Sequence, residues 1–269
     1  MGKVVFISGV SSGFGLETAK LLAQKGYKVY GTTRNGPGKL AGVDYLHLDL
    51  TDHASIKNAV RQVIETEQKI DILINNGGMH TGGPAEVLPD EYLKLQIETS
   101  FIGLVNLTRE VLPVMRNQHE GSIINISSIG GLIGLPYQAY YSAAKFAIEG
   151  FSEALRMEVK SFGIKVILVN PGDFRTNNSA NRRKFLASEQ LCGQYSGQFR
   201  QTLDAIEKDE SNGMDPSILA RSILKISESK NPKTRYIVSS ADQKLAVVLK
   251  KLLPGKLFDS IMMSHYKIS

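Results

Sequence analysis

A tyrosine and a lysine four residues apart, Tyr141 and Lys145, are the residues whose types and spacing most directly suggest chemistry. On a helix, this spacing places both side chains on one face, within reach of each other. A nearby ammonium group lowers the pKa of a phenol, ordinarily about 10, so such a tyrosine can transfer a proton near neutral pH. The pair therefore predicts general acid–base chemistry. The alternative is a packed tyrosine with a solvated lysine one turn away.

Two serines, Ser127 and Ser128, follow the predicted strand Ser122–Ile126. In a parallel sheet the carboxyl ends of the strands meet at one edge, and ligands bind there. A hydroxyl at that edge could reach the pocket that holds Tyr141. The alternative is ordinary hydrogen bonding at the end of a strand.

A glycine-rich turn of the form G-x-x-x-G-x-G joins the first predicted strand, Val4–Ile7, to an amphipathic helix. Glycines let the backbone approach a ligand closely, and the helix N-terminus offers free N–H groups to a pyrophosphate. The turn predicts dinucleotide binding, with simple turn packing as the alternative. The residues predicted to contact the dinucleotide are Gly9, Ser11, Ser12, Gly13, Phe14 and Gly15.

The end of the second predicted strand, Lys28–Thr32, indicates which dinucleotide is bound. An acidic residue there often holds the ribose 2′-hydroxyl of NAD, but this chain has Thr33 and Arg34. A guanidinium can pair with a 2′-phosphate, which an acid would repel, so we expect NADP(H) in preference to NAD(H). The alternative is a solvated loop arginine. After the third strand, Asp49 and Leu50 are predicted beside the adenine, and helix capping is the other role open to Asp49.

Two further turns follow predicted strands, at residues 75–78 (NNGG) and 170–176 (NPGDFRT). Asparagine and glycine tolerate unusual backbone angles, as turns at a ligand-binding sheet edge require. Either turn by itself indicates no more than a loop. Their candidate cofactor contacts are Asn76, Gly77, Gly78, Pro171, Gly172, Phe174 and Thr176.

Apolar runs of strand length alternate with helical stretches along the chain. The strand runs are Val4–Ile7, Lys28–Thr32, Tyr45–Leu48, Ile70–Ile74, Ser122–Ile126, Lys165–Val169 and Arg235–Val238. The helical stretches are Gly15–Lys25, Thr51–Thr66, Pro89–Asn117, Ala139–Phe162 and Asp215–Ser229. Continuous apolar strands separated by helices predict an α/β fold with a doubly wound, parallel, seven-stranded, Rossmann-like sheet.

We interpret residues 1–269 as a single domain, because no repeat or low-complexity linker divides the chain. Residues 177–213 are polar, weakly periodic and follow the sixth strand, so they predict an irregular lid over the substrate. Residues 241–269 form a basic, amphipathic C-terminal segment.

The composition excludes several classes of protein. With 42% hydrophobic residues, the chain is too apolar to be disordered, and one cysteine can neither form an internal disulfide nor complete a Cys-rich zinc site. No signal peptide or membrane-spanning run is evident, so we expect a cytoplasmic protein without a metal. The net charge of +6 lies within residues 230–269, which hold eight Lys or Arg and two acids. The basic pI therefore does not predict nucleic-acid binding.

The C-terminal segment has an apolar stripe at helical spacing, with lysines mostly on the other side. The stripe residues are Leu245, Val248, Leu249, Leu252 and Leu253, and the lysines are Lys244, Lys250 and Lys251. The plainer prediction is that this stripe packs on the protein or a second subunit, with its lysines in water. The alternative is a weak peripheral membrane or partner contact, since several basic residues near an anionic surface act together.

Taken together, and in their order along the chain, these motifs resemble the short-chain dehydrogenase/reductase family over roughly residues 3–177, and more weakly as far as residue 238. The resemblance implies an NAD(P)(H)-dependent oxidoreductase acting on a small-molecule substrate. It makes Tyr141 the general acid/base and Ser128 the group that polarises the substrate carbonyl. Lys145 would lower the pKa of Tyr141 and hold the nicotinamide ribose. The resemblance also assigns the glycine turn to the pyrophosphate and the turn at residues 75–78 to the adenosine ribose. It assigns the turn at residues 170–176 to the nicotinamide.

The chain departs from the family pattern at two positions. Gly77 stands where an alanine is usual, and Ser100 stands where a helix asparagine helps to hold a water between the lysine and solvent. Ser100 thus completes the candidate catalytic set, although its shorter side chain implies a weaker or rerouted proton relay.

Within the family, the chain resembles the 17β-hydroxysteroid dehydrogenase-like branch, whose substrates are lipophilic alcohols and ketones. We therefore expect NADP(H)-dependent interconversion of a ketone or aldehyde and an alcohol, by a homodimer or homotetramer. One alternative is a 3-oxoacyl-thioester reductase, which would need basic residues near the entrance to bind a phosphopantetheine-bearing acyl carrier. Another is a non-catalytic NADP(H) sensor. The basic residues in question are Arg175, Arg182, Arg183 and Lys184.

Overall fold

A seven-stranded parallel sheet forms the centre of the fold. The computed structural model describes residues 2–36, 38, 40–176, 182 and 186–268. The strands run in the order β3-β2-β1-β4-β5-β6-β7, and each neighbouring pair is parallel. They are β1 Val4–Ile7, β2 Lys28–Thr33, β3 Val43–His47, β4 Ile72–Asn75, β5 Gly121–Ile126, β6 Ile164–Pro171 and β7 Arg235–Val238.

Helices cover both faces of this sheet. They are α1 Gly13–Gln24, α2 His53–Glu67, α3 Asp90–Ile97, α4 Gly103–Gln118, α5 Ala139–Glu158, α6 Glu189–Cys192, α7 Ser196–Ser211, α8 Pro216–Glu228, α9 Ala241–Leu252 and α10 Gly255–His265. Between α3 and α4 the backbone forms one turn of π-helix, Glu98–Ile102.

Side chains of β1 point alternately into two separate apolar layers, one on each face of the sheet. Val4 and Phe6 pack in the layer that holds the inner faces of α2, α4 and α5. Val5 and Ile7 pack in the opposite layer, against α1 and α8. Burial on both faces explains why the strands read as continuous apolar runs.

The strand order reverses between β1 and β4, and both of their carboxyl ends are followed by glycine-containing turns. A sheet of this kind binds ligands in the crevice at such a reversal. The predicted seven-stranded, doubly wound fold is confirmed, and the site is to be sought at this edge.

Residues 186–213 depart from the prediction of an irregular insertion. They contain α6 and the four-turn helix α7, whose buried Phe199, Thr202 and Ile206 lie on its inner side. The sequence did not predict α7, because polar residues on its outer side weaken the helical spacing of its apolar residues. Residues 177–181 and 183–185 lie outside the described part of the chain.

The predicted C-terminal stripe is divided. Leu249 and Leu253 pack with Val247 and Phe258 against the loop after β5, whereas Leu245, Val248 and Leu252 are exposed. Within the described residues, no helix combines the length and the apolarity that crossing a bilayer would require.

Candidate active site

A cavity of about 500 Å³ opens at the carboxyl edge of the sheet. It brings together residues that lie as much as 257 positions apart in sequence, from Gly9 to Tyr266. The predicted site residues that line it are Gly9, Ser11, Ser12, Gly13, Phe14, Arg34, Leu50, Asn76, Gly77, Gly78, Ser128, Tyr141, Lys145, Pro171, Gly172, Phe174 and Thr176. Three others, Gly15, Asp49 and Ser100, are not in its lining.

The glycine turn is shaped by close backbone contacts. Gly9 has a φ of +73°, and a Cβ there would lie 2.8 Å from the Cα of Gly77. A Cβ on Gly15 would lie 2.1 Å from the Gly9 carbonyl oxygen, so the absence of a side chain at Gly15 lets the turn pack closely against α1. Ser12 precedes α1 without capping it through its side chain, which leaves the first N–H groups of the helix facing the cavity rim. A cradle of this kind fits a pyrophosphate.

Asn76 fastens this turn to the neighbouring strand. Its Nδ2 donates to the carbonyl oxygens of Ser8 and Gly9, at 3.1 and 2.8 Å. In return, the Ser8 hydroxyl oxygen accepts from the backbone N–H groups of Asn76 and Gly77. The two turns at the strand-order reversal are thus one hydrogen-bonded unit.

At the end of β2, Arg34 is exposed and lines the cavity. Its positive charge helps to hold the pKa of Asp49 below the ordinary value, as do hydrogen bonds from Thr51, and these effects outweigh partial burial. Asp49 accepts from Thr51 N–H and Oγ at 2.9 and 2.7 Å. The cap of α2 is Asp52, whose side chain accepts from Ala54, so Asp49 does not have the capping role considered for it.

Tyr141, in the first turn of α5, shares the cavity with Ser128. Burial raises the pKa of Tyr141 to about 12, and a hydrogen bond with the Ser128 side chain opposes the rise. At neutral pH the phenol is therefore protonated and can donate a proton. Ser128 also accepts from the Gly130 N–H at 3.0 Å, which fixes its hydroxyl oxygen in place.

Lys145 lies one turn further along α5, with its Nζ 5.8 Å from the centre of the Tyr141 ring. Its ammonium donates to the Ile126 carbonyl oxygen at 3.0 Å. Burial lowers the pKa of Lys145 to about 8, and the Glu149 carboxylate partly offsets this. A lysine with this pKa is mostly charged at pH 7. The predicted lowering of the pKa of Tyr141 is nevertheless absent here, because burial of the phenol raises that pKa.

Glu149 belongs to a buried polar network that the sequence did not indicate. Asn170 on β6 donates from Nδ2 to Glu149 at 2.7 Å and to the Ser128 carbonyl oxygen at 2.9 Å. Arg235 on β7 pairs with Glu149, and with Glu153 at 2.9 Å. The network positions the backbone of Ser128 relative to α5.

Ser100 lies in the π-turn, and its hydroxyl supports a loop. The Ser100 Oγ accepts from the Met79 N–H at 3.2 Å and from Gln96 Nε2 at 2.9 Å. Gln96 also donates to the Met79 carbonyl oxygen, at 3.0 Å. Ser100 and Gln96 together therefore hold the backbone that follows Gly78 at the cavity wall.

His80 is a site residue that the sequence analysis missed. Its imidazole stacks on the ring of Tyr141, with centroids 3.9 Å apart and planes 18° apart. Burial lowers its pKa to about 3, so the ring is neutral at physiological pH. The hydrogen bond from His80 Nε2 to Gln138 Oε1 places the ring proton on Nε2.

Three acids line the cavity beyond the catalytic pair: Asp173, Asp209 and Glu210. Burial raises the pKa of Asp173 to about 6, and the other two carboxylates add to the rise. Asp173 accepts from Gln243 Nε2, and Asp209 pairs with His265 at 2.9 Å. Glu210 and Asp173 also raise the pKa of Tyr141, because their negative charges disfavour the phenolate.

Two of the basic residues suggested for an acyl carrier are engaged within the protein. Arg182 is 1% exposed and pairs with Glu210, its Nη2 donating at 3.0 Å. Arg175 is exposed, with Asp215 at 3.7 Å. Arg183 and Lys184 lie outside the described residues. The buried Arg182 cannot meet a carrier at the entrance.

Comparisons with known proteins agree with this geometry. The family model described as short chain dehydrogenase matches residues 3–187. A 3-ketodihydrosphingosine reductase of Bacteroides thetaiotaomicron is 44% identical over 269 residues, which cover 99% of this chain and 98% of that protein. A short-chain dehydrogenase structure from Streptomyces avermitilis has a TM-score of 0.82 at 29% identity, and covers 99% of this chain and 96% of that one.

A second solved structure carries a cofactor. It is the closed form of a serine dehydrogenase complexed with NADP⁺, with a TM-score of 0.76 at 25% identity, covering 89% of this chain and 95% of that one. The motifs, the cavity and these matches establish one assignment. The chain belongs to the short-chain dehydrogenase/reductase family and is an oxidoreductase of that family.

Proposed function

We propose that the protein reduces a lipophilic ketone to the corresponding alcohol with NADPH. The observation that carries this proposal is one cavity that joins Tyr141, Ser128 and Lys145 to the glycine turn at Gly9. The apolar side chains of Leu95, Leu135 and Ile206 line the same cavity and suit a lipophilic substrate. Membership of the 17β-hydroxysteroid dehydrogenase-like branch is part of this proposal, since that branch acts on lipophilic alcohols and ketones.

The cofactor preference rests on Arg34. Its guanidinium stands at the cavity rim after β2, where it could pair with a 2′-phosphate. No carboxylate stands at Thr33 to bind a free 2′-hydroxyl instead. The NADP⁺ bound by the serine dehydrogenase relative supports this assignment by analogy.

The glycine turn would hold the pyrophosphate, and Lys145 the nicotinamide ribose. Once bound, the reduced nicotinamide supplies a hydride to the carbonyl carbon. Ser128 orients the carbonyl oxygen by a hydrogen bond, and Tyr141 donates its phenolic proton to that oxygen as negative charge develops there. The charged Lys145 favours release of the proton, because a nearby cation stabilises the phenolate.

The acids of the cavity suggest a substrate with an amine. The 44% identical relative is named for 3-ketodihydrosphingosine, a long-chain ketone with an amino group beside the carbonyl. The negative charges of Asp173 and Glu210 act on the phenol of Tyr141, so they would attract an ammonium next to a carbonyl bound there. We therefore propose a 3-keto sphingoid base as the substrate, with Asp173 as the carboxylate that pairs with its ammonium.

NADPH oxidation tests this with 3-ketodihydrosphingosine and its N-acetyl derivative, which lacks the positive charge. We expect the free amine to be the better substrate. Asp173→Asn should raise KM for the amine about tenfold, as loss of a charge-assisted contact of about 1.4 kcal/mol would, and leave KM for the amide unchanged. The control is Asp204→Asn, an exposed acid on α7 outside the cavity.

Three outcomes are distinguishable. Turnover of neither ketone would refute the proposed substrate class. Equal turnover of amine and amide, unchanged by Asp173→Asn, would keep the ketone reductase and refute the ammonium contact. Faster turnover of acetoacetyl-coenzyme A than of either ketone would favour the acyl-thioester reductase.

We also propose that the protein works as a homodimer or homotetramer in the cytoplasm. The exposed Phe146 and Met157 on α5 support a second copy on that helix, since large exposed apolar residues often mark interfaces. Sedimentation velocity of Met157→Asp tests this, and a wild-type protein that sediments as a monomer would refute it.

A further inference from the structure

The C-terminal helices α9 and α10 present apolar side chains to solvent. We define the C-terminal stripe as Leu245, Val248 and Leu252 on α9 with Leu257 and Ile261 on α10. These residues are between 42% and 73% exposed. The spacing within each helix places its members on one face. In the described part of the chain, α9 and α10 hold six of the eleven large apolar residues that are exposed.

This exposure is not needed to hold the two helices on the protein. Val247 of α9 and Phe258 of α10 are buried in a cluster with Ile133, whereas the stripe residues of the same two helices are exposed. Each helix therefore has apolar side chains inside the protein and others outside it. An outer apolar face of this size indicates a contact surface.

Lysines border the stripe. Lys244 and Lys251 precede and follow Val248 by four and three positions, so they lie beside it on α9, and both are exposed. Lys256 is exposed in the first turn of α10. Residues 230–269 carry the whole net charge of +6, so the stripe lies in the basic region of an otherwise neutral chain.

The same segment closes the substrate cavity. Tyr266, directly after α10, lines the cavity, and its carbonyl oxygen accepts from Thr202 of α7 at 3.0 Å. His265 pairs with Asp209 of the cavity at 2.9 Å. A surface that binds the stripe would therefore lie next to the cavity wall that Tyr266 helps to form.

We propose that the C-terminal stripe and its lysines dock the protein peripherally on an anionic lipid bilayer. Leucines and isoleucine would enter the region between headgroups and acyl chains while the lysines meet anionic headgroups. A second copy is a poorer occupant, because a two-fold symmetric contact places the same patch against itself and so brings lysine against lysine. Charge complementarity therefore favours the lipid surface.

Co-sedimentation of the full chain with vesicles tests this without any need for turnover, so it does not depend on the identity of the substrate. The vesicles are phosphatidylcholine with and without phosphatidylglycerol, at low and high salt. We expect binding to the anionic vesicles at low salt and its loss at high salt. The double variant Lys244→Gln/Lys251→Gln should bind about 30-fold more weakly, as two surface-bound basic residues predict.

Matched variants separate docking from general surface properties. Leu252→Ser should weaken binding, whereas Phe162→Ser, an exposed apolar residue in the turn after α5, should not. Lys225→Gln on α8 is the control for charge. The proposal is overturned if the full chain does not bind anionic vesicles, if the stripe variants bind like the parent, or if Leu252→Ser dissociates a lipid-free dimer.

Discussion

The imidazole of His80 lies flat against the ring of Tyr141, 3.9 Å from centroid to centroid. Because burial keeps the imidazole neutral, it can position the phenol without adding a charge that would change the protonation of Tyr141. The hydrogen bond to Gln138, directly before α5, ties the imidazole to the helix that carries Tyr141.

We predict that His80→Ala lowers kcat about two- to tenfold, because the lost aromatic contact contributes about 0.5–1.5 kcal/mol. The Kd for NADPH should be unchanged. His80→Phe should restore most of the kcat, since it keeps a ring against Tyr141. Steady-state kinetics and cofactor titration measure both quantities. A parental kcat in His80→Ala would refute the positioning role.

Arg34→Ala should weaken NADPH binding by about ten- to a hundredfold, because a charge-assisted contact to the 2′-phosphate is lost. NADH binding should not change, since NADH lacks that phosphate. Fluorescence titration with both cofactors checks this, with Arg61→Ala on the exposed face of α2 as control. Tighter binding of NADH than of NADPH by the parent would contradict the assignment.

Lys145→Met should stabilise the fold at pH 7 while it removes activity. The pKa of Lys145 is about 8 in the folded protein and ordinarily 10.5, so below pH 8 the fold carries a buried cation that it disfavours. Replacement by methionine removes this destabilisation of the fold, which amounts to about 3 kcal/mol. It also loses the hydrogen bond to Ile126, which contributes about 1 kcal/mol.

Urea unfolding at several pH values checks the sign. Between pH 8 and 10.5 the unfolded chain binds more protons at Lys145 than the folded protein does, so this residue makes stability rise with pH. The advantage of Lys145→Met should therefore shrink over that window. Lys225→Met is the exposed control, and a variant less stable than the parent at pH 7 would contradict the prediction.

The strands and the shared helix face of Tyr141 and Lys145 could be predicted because their signals are local. Val4–Ile7 and Arg235–Val238 match the observed strands to the residue, since each is an apolar run bounded by polar or glycine residues. Tyr141 and Lys145 share one helix face at a fixed spacing. Such features need no knowledge of how distant segments meet.

The remaining features depend on contacts between distant segments. His80 meets Tyr141 across 61 positions, and the pairing of Arg235 with Glu149 spans 86, so no local pattern marks either. The π-turn that contains Ser100 lies within an apparently continuous helical stretch. The exposure of Leu245 could not be foreseen, because two faces of α9 are apolar and the sequence does not show which one is buried.

Ser100→Asn should keep kcat within a few-fold of the parent, because the asparagine Oδ1 can accept the hydrogen bonds that Ser100 accepts from Met79 and Gln96. Ser100→Ala should lose more activity and about 1–3 kcal/mol of stability, since the buried Gln96 amide and the half-buried Met79 N–H lose their acceptor. Kinetics and urea unfolding of both variants decide this. A lower kcat for the asparagine variant than for the alanine variant would show that this pocket does not accommodate the family's usual residue.

The central claim is that Tyr141 supplies the proton for carbonyl reduction, and Tyr141→Phe tests it most directly. The measurement pairs single-turnover oxidation of bound NADPH by the ketone with the Kd for NADPH. We predict an unchanged Kd, because the ring and its stack on His80 remain, and a rate that is at least about a hundredfold lower, as loss of general acid catalysis requires. A Tyr141→Phe protein that reduces the ketone at the parental rate would contradict the account.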